Sequence, residues 1–196
     1  MPQELVYTIA QIIGYIAMVL AVVSMQFKSM RWIIFFQILS NVLLGLQCIV
    51  GGTISTGGIV FLAAAQTVIS FIYNRYQRPF PLWLTLSFIA GYTAITVIGF
   101  ISPSVASSPL DLVTMVAVWF FAISIVQKYS YLCRVFLAIN VSLWLIYDVC
   151  ILPSAALNHV IILSSIIVSI IRNDRAEWRA LYRGFLAKMR DFSNRD

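Results

Sequence analysis

The feature that most constrains this chain is the placement of its thirteen Lys and Arg residues, which fall in four clusters set apart by long hydrophobic stretches. The clusters are Lys28 with Arg31, Arg75 with Arg78, Lys128 with Arg134, and a C-terminal group from Arg172 to Arg195. The alternate gaps, Gly51 to Thr53, Ser102 to Ser108 and Leu152 to Ser154, carry no basic residue, and the charges nearest to them are Asp111 and Asp148. Basic residues beside a spanning helix stay on the cytoplasmic side, so the clustered loops are expected inside and the bare ones outside. That alternation is the pattern of a multi-pass membrane protein.

Composition agrees. With 61% hydrophobic and 10% charged residues and a mean hydropathy of +0.94, a soluble domain of this length could not keep its apolar surface out of water. A spanning helix takes about 20 apolar residues for a hydrocarbon core of about 30 Å. Seven segments qualify: Leu5 to Phe27, Trp32 to Val50, Ile54 to Tyr73, Pro81 to Ile101, Pro109 to Gln127, Ser130 to Cys150 and Pro153 to Ile171. An odd number of spans puts the N-terminus outside, periplasmic in a bacterial inner membrane, and the C-terminus in the cytoplasm. The first segment opens on Glu4 and outruns a signal-peptide core, so it is expected to remain as a helix. Trp32 and Trp83 fall at inside helix ends, where indole sits at head-group level.

Residues 172–196 read differently. Trp178, Leu181, Tyr182, Phe185, Met189 and Phe192 recur at helical spacing, with Arg175, Arg179, Arg183, Lys188 and Arg190 mostly between them. This predicts an amphipathic helix lying on the membrane surface, its basic side toward anionic head groups. Lipid is a simpler partner for this charge than nucleic acid, which is not expected. Cys48, Cys133 and Cys150 have no metal-ligand spacing and read as small core residues. No cofactor is implied.

The chain also repeats itself. Laid without gaps, residues 41–74 and 140–173 share nine identities, including the polar pairs Asn41 with Asn140, Ser55 with Ser154, Ser70 with Ser169 and Asn74 with Asn173. Ser24 to Lys28 matches Ser124 to Lys128 after a one-residue shift. The fold expected is therefore an all-α integral membrane protein within residues 1–171, built as repeat one (5–73), a linker helix (81–101) and repeat two (109–171). An odd number of helices per copy would invert the second copy, and the linker helix restores its direction, giving a parallel repeat.

This three-plus-one-plus-three pattern resembles the SWEET sugar facilitators, the PQ-loop proteins and the PnuC-type vitamin transporters. More closely, Gly14-Tyr15-Ile16-Ala17, then Gln26-Phe27-Lys28, then Gly51-Gly52-Thr53 before a third helix rich in small residues, resemble the YgjV-type bacterial inner-membrane proteins. The resemblance implies a small-solute membrane protein. It does not extend to the proline hinge of the SWEET and PQ-loop families: Gln26 and Gln127 have no Pro before them, and all six prolines lie at segment ends or outside.

Function is sought among polar side chains at membrane depth, because an unpaired polar group in hydrocarbon costs several kcal/mol. Asn41 and Asn140 lie about halfway along the second and sixth segments, where repeat-built transporters place their sites. Gln66 and Ser165 are repeat-equivalent and somewhat nearer the inside. Asn158 and His159 add polar groups toward the outside, and Trp119 and Trp144 add aromatic surface. Amides beside aromatic faces suit a small polar solute with a planar ring. The same Asn, Gln and Ser residues can instead be interhelical glue, at about 0.6 to 2 kcal/mol each, and Gln11, Gln37 and Gln47 are read that way.

Asp148 and His159 face each other across the last outer hairpin. A proton-coupled pair would make function pH-dependent, but their position near the surface instead favours a solvated Asp148 and a neutral, hydrogen-bonded His159. The expectation is a facilitator of a small polar solute, or alternatively a membrane receptor or scaffold that binds without transport. An enzyme is not expected, since one His, scattered Cys residues and isolated acids supply no nucleophile with its base. Such a reading would need His159 beside Ser55 or Asp148 with a cavity between them.

Overall fold

Without water to satisfy backbone N–H and C=O groups, apolar segments of this length must bond internally as helices. The computed structural model describes residues 3–50, 54–101, 110–151, 153–175, 179 and 183, and those residues form seven α-helices with no strand among them. They are α1 (Gln3–Gln26), α2 (Met30–Val50), α3 (Ile54–Arg75), α4 (Leu82–Ile101), α5 (Asp111–Ile125), α6 (Ser130–Ile151) and α7 (Pro153–Asn173). The amphipathic tail expected from Trp178 to Phe192 lies outside the described residues, apart from the exposed Arg179 and Arg183.

Six of the helices are long and apolar enough to cross a membrane; α5 is not. Its 15 residues rise about 22 Å at about 1.5 Å per residue, against a hydrocarbon core of about 30 Å. The expected span counted Pro109 and Gln127, whereas the helix starts at Asp111 and caps at Val126. A tightened turn ends it, with the Gln127 N–H donating to the Ser124 carbonyl at 3.3 Å. Helix α1 ends the same way, through Phe27 N–H to the Ser24 carbonyl at 3.4 Å.

The principal contacts close a ring: α1 on α2, α2 on α3, α3 on α5, α5 on α6, α6 on α7, and α7 back on α1, with α4 packed against α3 and α5. One apolar core joins Met25, Ile33, Ile34, Cys133, Leu137 and Ile166; a second joins Ala63, Phe88, Tyr92, Val118 and Ala122. Large side chains such as Ile12, Val19, Ile98 and Leu157 face outward, which is costless in lipid. Small residues let helices approach: a Cβ on Gly45 would meet the Phe61 ring of α3 at 2.9 Å.

Buried positions recur along the chain. Ile33, Ile34, Gln37, Ser40 and Asn41 are buried on α2, and Cys133, Arg134, Leu137, Asn140 and Val141, each 100 residues later, on α6. Thr67 and Ser70 on α3 match Ile166 and Ser169 on α7, 99 residues later.

All helix ends carrying Lys28, Arg78 and Lys128 lie at one end of the bundle, called here the basic end. A fully buried ion pair holds part of it. Arg134, 0% exposed, pairs with Asp174 at 2.5 Å and donates to the carbonyls of Met25 and Phe27, tying α6 to the ends of α1 and α7.

Candidate functional site

The ring encloses a cavity of about 310 Å³ to which all seven helices contribute side chains. Its wall is mostly apolar, as small-molecule sites are, with a few convergent polar groups. Asn41, Asn140, Trp144 and His159 of the expected residues line it, joined by Gln37 and Tyr92.

Each polar group is held by the scaffold. Asn140 Nδ2 donates to the Ala117 carbonyl of α5 at 2.7 Å, and Asn41 Nδ2 to Thr67 Oγ1 of α3 at 3.3 Å. Gln37 Nε2 donates to Ser24 Oγ at 3.0 Å, and Ser24 Oγ in turn donates to the Ala21 carbonyl at 2.6 Å. Such anchoring fixes rotamers, and a preset wall binds more tightly than one that must be ordered.

His159 Nδ1 lies 2.5 Å from Asp148 Oδ2. Asp148 is 4% exposed, so the solvated carboxylate expected from its position near the helix end is not found. The α6–α7 hairpin folds it onto the imidazole, which removes it from water. Trp144 stacks on the other component of that pair, its ring centroid 6.2 Å from that of His159 with planes 8° apart. A smaller cavity of about 140 Å³ adjoins here, sharing Ala21, Leu44, His159 and Ile162 with the larger one. Asn158 lines this smaller space together with Gln11 and Gln47, two residues read from sequence as packing. The Gln47 amide lies over Gly14, where a Cβ would come within 2.6 Å of it.

The remaining expected residues are engaged elsewhere. Gln66 donates to the Ala122 carbonyl at 2.9 Å and accepts from the Tyr92 hydroxyl at 2.9 Å, joining α3, α4 and α5. Ser165 donates to the Val22 carbonyl at 3.2 Å and accepts from Gln26 Nε2 at 2.7 Å, joining α7 to α1. Trp119 Nε1 donates to Thr93 Oγ1 at 3.0 Å. None of the three lines the larger cavity among the described residues.

Sequence reasoning did not find Tyr92, Arg134 or Asp174. Tyr92 lies on the linker helix, which has no repeat partner to draw attention to it. Arg134 reads as one of the loop charges that set orientation, and only its place inside the helical segment that begins at Ser130 hints otherwise, while Asp174 lies just past the last expected span. Among the described residues no group of three or more His, Cys, Asp or Glu side chains converges to hold a metal.

A ring of apolar helices around a largely apolar cavity with fixed amides defines a multi-pass membrane protein with an internal small-molecule-sized site. The chain belongs to the Imp-YgjV family of bacterial inner membrane proteins, whose family model matches residues 8–177. No curated protein and no solved structure matches it.

Proposed function

We propose that the protein is a facilitator that binds a small polar solute in the central cavity and passes it across the bacterial inner membrane. The observation that carries this reading is the cavity itself: about 310 Å³, the lower end of small-molecule sites, with Asn41 and Asn140 on opposite parts of its wall. With their Nδ2 atoms bonded to α3 and α5, the two amides offer a solute chiefly their Oδ1 acceptors. Trp144, stacked on His159, adds a flat aromatic surface, so the solute is one with hydrogen-bond donors on a planar ring.

The proposal includes a parallel repeat, α1–α3 and α5–α7, with α4 as linker. Matched hydrogen bonds support it. Ser40 Oγ donates to the Ala17 carbonyl at 2.9 Å, as Asn140 does to Ala117, each pair 23 residues apart. Gln66 bonds the Ala122 carbonyl across α3 and α5, and Ser165 bonds the Val22 carbonyl across α7 and α1. Burial supports a spacing of 100 residues for α2 with α6 and 99 for α3 with α7. The single-residue difference then falls in the loops before α3 and α7, and Asn140 is the counterpart of Ser40 instead of Asn41. Two amides at non-equivalent positions make the site asymmetric, which suits an asymmetric solute.

Facilitation is favoured over coupled transport because no acidic side chain is among the described residues lining the cavity. Asp148 on Nδ1 leaves the His159 Nε2 free, the orientation a catalytic base takes, so passage without chemistry is proposed on the strength of the cavity and its fixed amides and not on the state of this pair. Thermal unfolding of detergent-purified protein across nucleosides, nucleobases, sugars and amino acids tests it. A solute that binds the native state raises the melting temperature. A rise with one ring-bearing class, lost in Asn140→Ala and Asn41→Ala, is expected. Folded variants that keep the rise would remove the cavity from the account.

A further inference from the structure

The basic end of the bundle is built differently on its two sides. Where α1, α6 and α7 meet, the junction is tied shut. Arg134 fills it, bonded to the Met25 and Phe27 carbonyls and to Asp174. Ser169 also donates to the Met25 carbonyl, and Asn173 Nδ2 donates to the Gln26 carbonyl at 3.3 Å. Where α5, α2 and α3 meet, the spacings of 100 and 99 residues put Ile34 in the place of Arg134, Ile125 for Met25, Ser70 for Ser169 and Asn74 for Asn173.

No arginine fills this second junction, and a cavity of about 390 Å³ stands there, lined by those four residues together with Arg78 and Lys128. Ser70 is 3% exposed, and its Oγ is buried without a hydrogen-bond partner, unlike Ser169. Buried hydroxyls are nearly always paired, so an orphan on a cavity wall points to a group that is not protein. The two cations sit on separate turns. Arg78 ends a Schellman motif: Gln77 is left-handed at φ 54, its N–H donates to the Asn74 carbonyl at 3.2 Å, and the Arg78 N–H donates to the Tyr73 carbonyl at 3.0 Å. Lys128 lies between α5 and α6. No acidic side chain is among the described residues of this wall.

We infer that this pocket binds a phosphate-bearing anion at the basic end, distinct from the solute cavity. Arg78 and Lys128 supply the opposing charge, and the Ser70 hydroxyl and the Asn74 amide supply donors to the phosphate oxygens. Charge-assisted bonds of this kind are the strong ones. The volume exceeds that of inorganic phosphate, and Ile34 and Ile125 offer apolar wall for an organic remainder. A soluble phosphomonoester and an anionic lipid head group share this chemistry. The inference borrows the repeat register from the proposed function for its comparison, but the cavity, the orphan hydroxyl and the two cations stand without it.

The test uses full-length protein in a zwitterionic detergent. Inorganic phosphate is titrated against chloride at matched ionic strength while the melting temperature is followed. In a second arm, retention of phosphatidylglycerol over phosphatidylcholine is read by native mass spectrometry. Expected is stabilisation by phosphate, retention of phosphatidylglycerol, or both, in the wild type. Ser70→Ala, which removes a hydroxyl with no protein partner and so leaves the fold intact, weakens the response roughly tenfold or more. Arg78→Gln and Lys128→Gln abolish it, and Asn140→Ala leaves it unchanged. A response in the phosphate arm identifies a soluble anion; one confined to the lipid arm identifies a head group. No response in either arm, or one that Ser70→Ala and Arg78→Gln leave intact, overturns the site. Because Asn140→Ala separates the two cavities, failure here and failure of the solute reading are told apart.

Discussion

Two buried polar clusters show how single residues are used. Arg134 and Asp174 are enclosed by apolar neighbours, where removing one partner leaves the other charge uncompensated at a cost of about 3 to 5 kcal/mol. Asp174→Asn and Arg134→Leu should each lower the melting temperature sharply in detergent, whereas Arg134→Leu with Asp174→Leu should recover much of the loss. A double variant as unstable as the worse single one would count against a charge-pair origin. Asp148 and His159 are the second cluster, and His159 lines the central cavity. Asp148→Ala should lower the melting temperature, since it removes the carboxylate that holds the imidazole Nδ1 and ties α6 to α7; an unchanged melting temperature would show that the pair does not stabilise the hairpin. Sequence carried Asn41, Asn140 and His159 to the cavity wall because polar groups at membrane depth face inward, and Trp144, one turn from Asn140, shares its face of α6. It could not show which amides are consumed by the scaffold: Gln66 and Ser165 end as bridges because backbone carbonyls of Ala122 and Val22 lie within reach, a matter of helix rotation that spacing alone does not fix.

At the scale of elements, the length of an uninterrupted apolar run predicted six helices to within a few residues. For α5 the same rule overshot by two residues at each end, and at the C-terminal end the Gln127 N–H closes a tight turn on the Ser124 carbonyl that hydropathy does not register. Close approach of α2 and α3 also depends on geometry that sequence does not expose. Gly45 and Gly58 are both helical glycines, yet a Cβ at Gly45 meets the Phe61 ring at 2.9 Å while one at Gly58 meets nothing within 4 Å. Gly58→Ala should therefore be neutral or stabilising by up to about 1 kcal/mol, through helix propensity alone. Gly45→Ala should destabilise by about 1 kcal/mol or more, since overpacking offsets that gain. Equal melting temperatures for the two variants would show that Phe61 yields freely.

For the whole molecule, the basic end is expected in the cytoplasm, since Lys28, Arg78, Lys128 and Arg134 sit there and cytoplasmic loops carry the excess of Lys and Arg. A reporter fused to the C-terminus should be active only as a cytoplasmic reporter. The ring of six helices around a central cavity, with α4 outside the ring, was partly legible from the nine identities between residues 41–74 and 140–173. The register proposed for the repeat differs from the gapless one by a residue, because gapless alignment of apolar helices rewards coincidences of Leu and Ile, whereas Asn140 bonds the Ala117 carbonyl as Ser40 bonds that of Ala17. The central claim is that this ring conducts a solute through its cavity. Its most direct test is uptake of the stabilising compound into liposomes carrying the purified protein, compared with protein-free liposomes and with Asn140→Ala. The account predicts saturable entry that the wild type accelerates and Asn140→Ala slows at least several-fold. Binding without entry above the protein-free rate would contradict it and leave a receptor that holds its ligand in place.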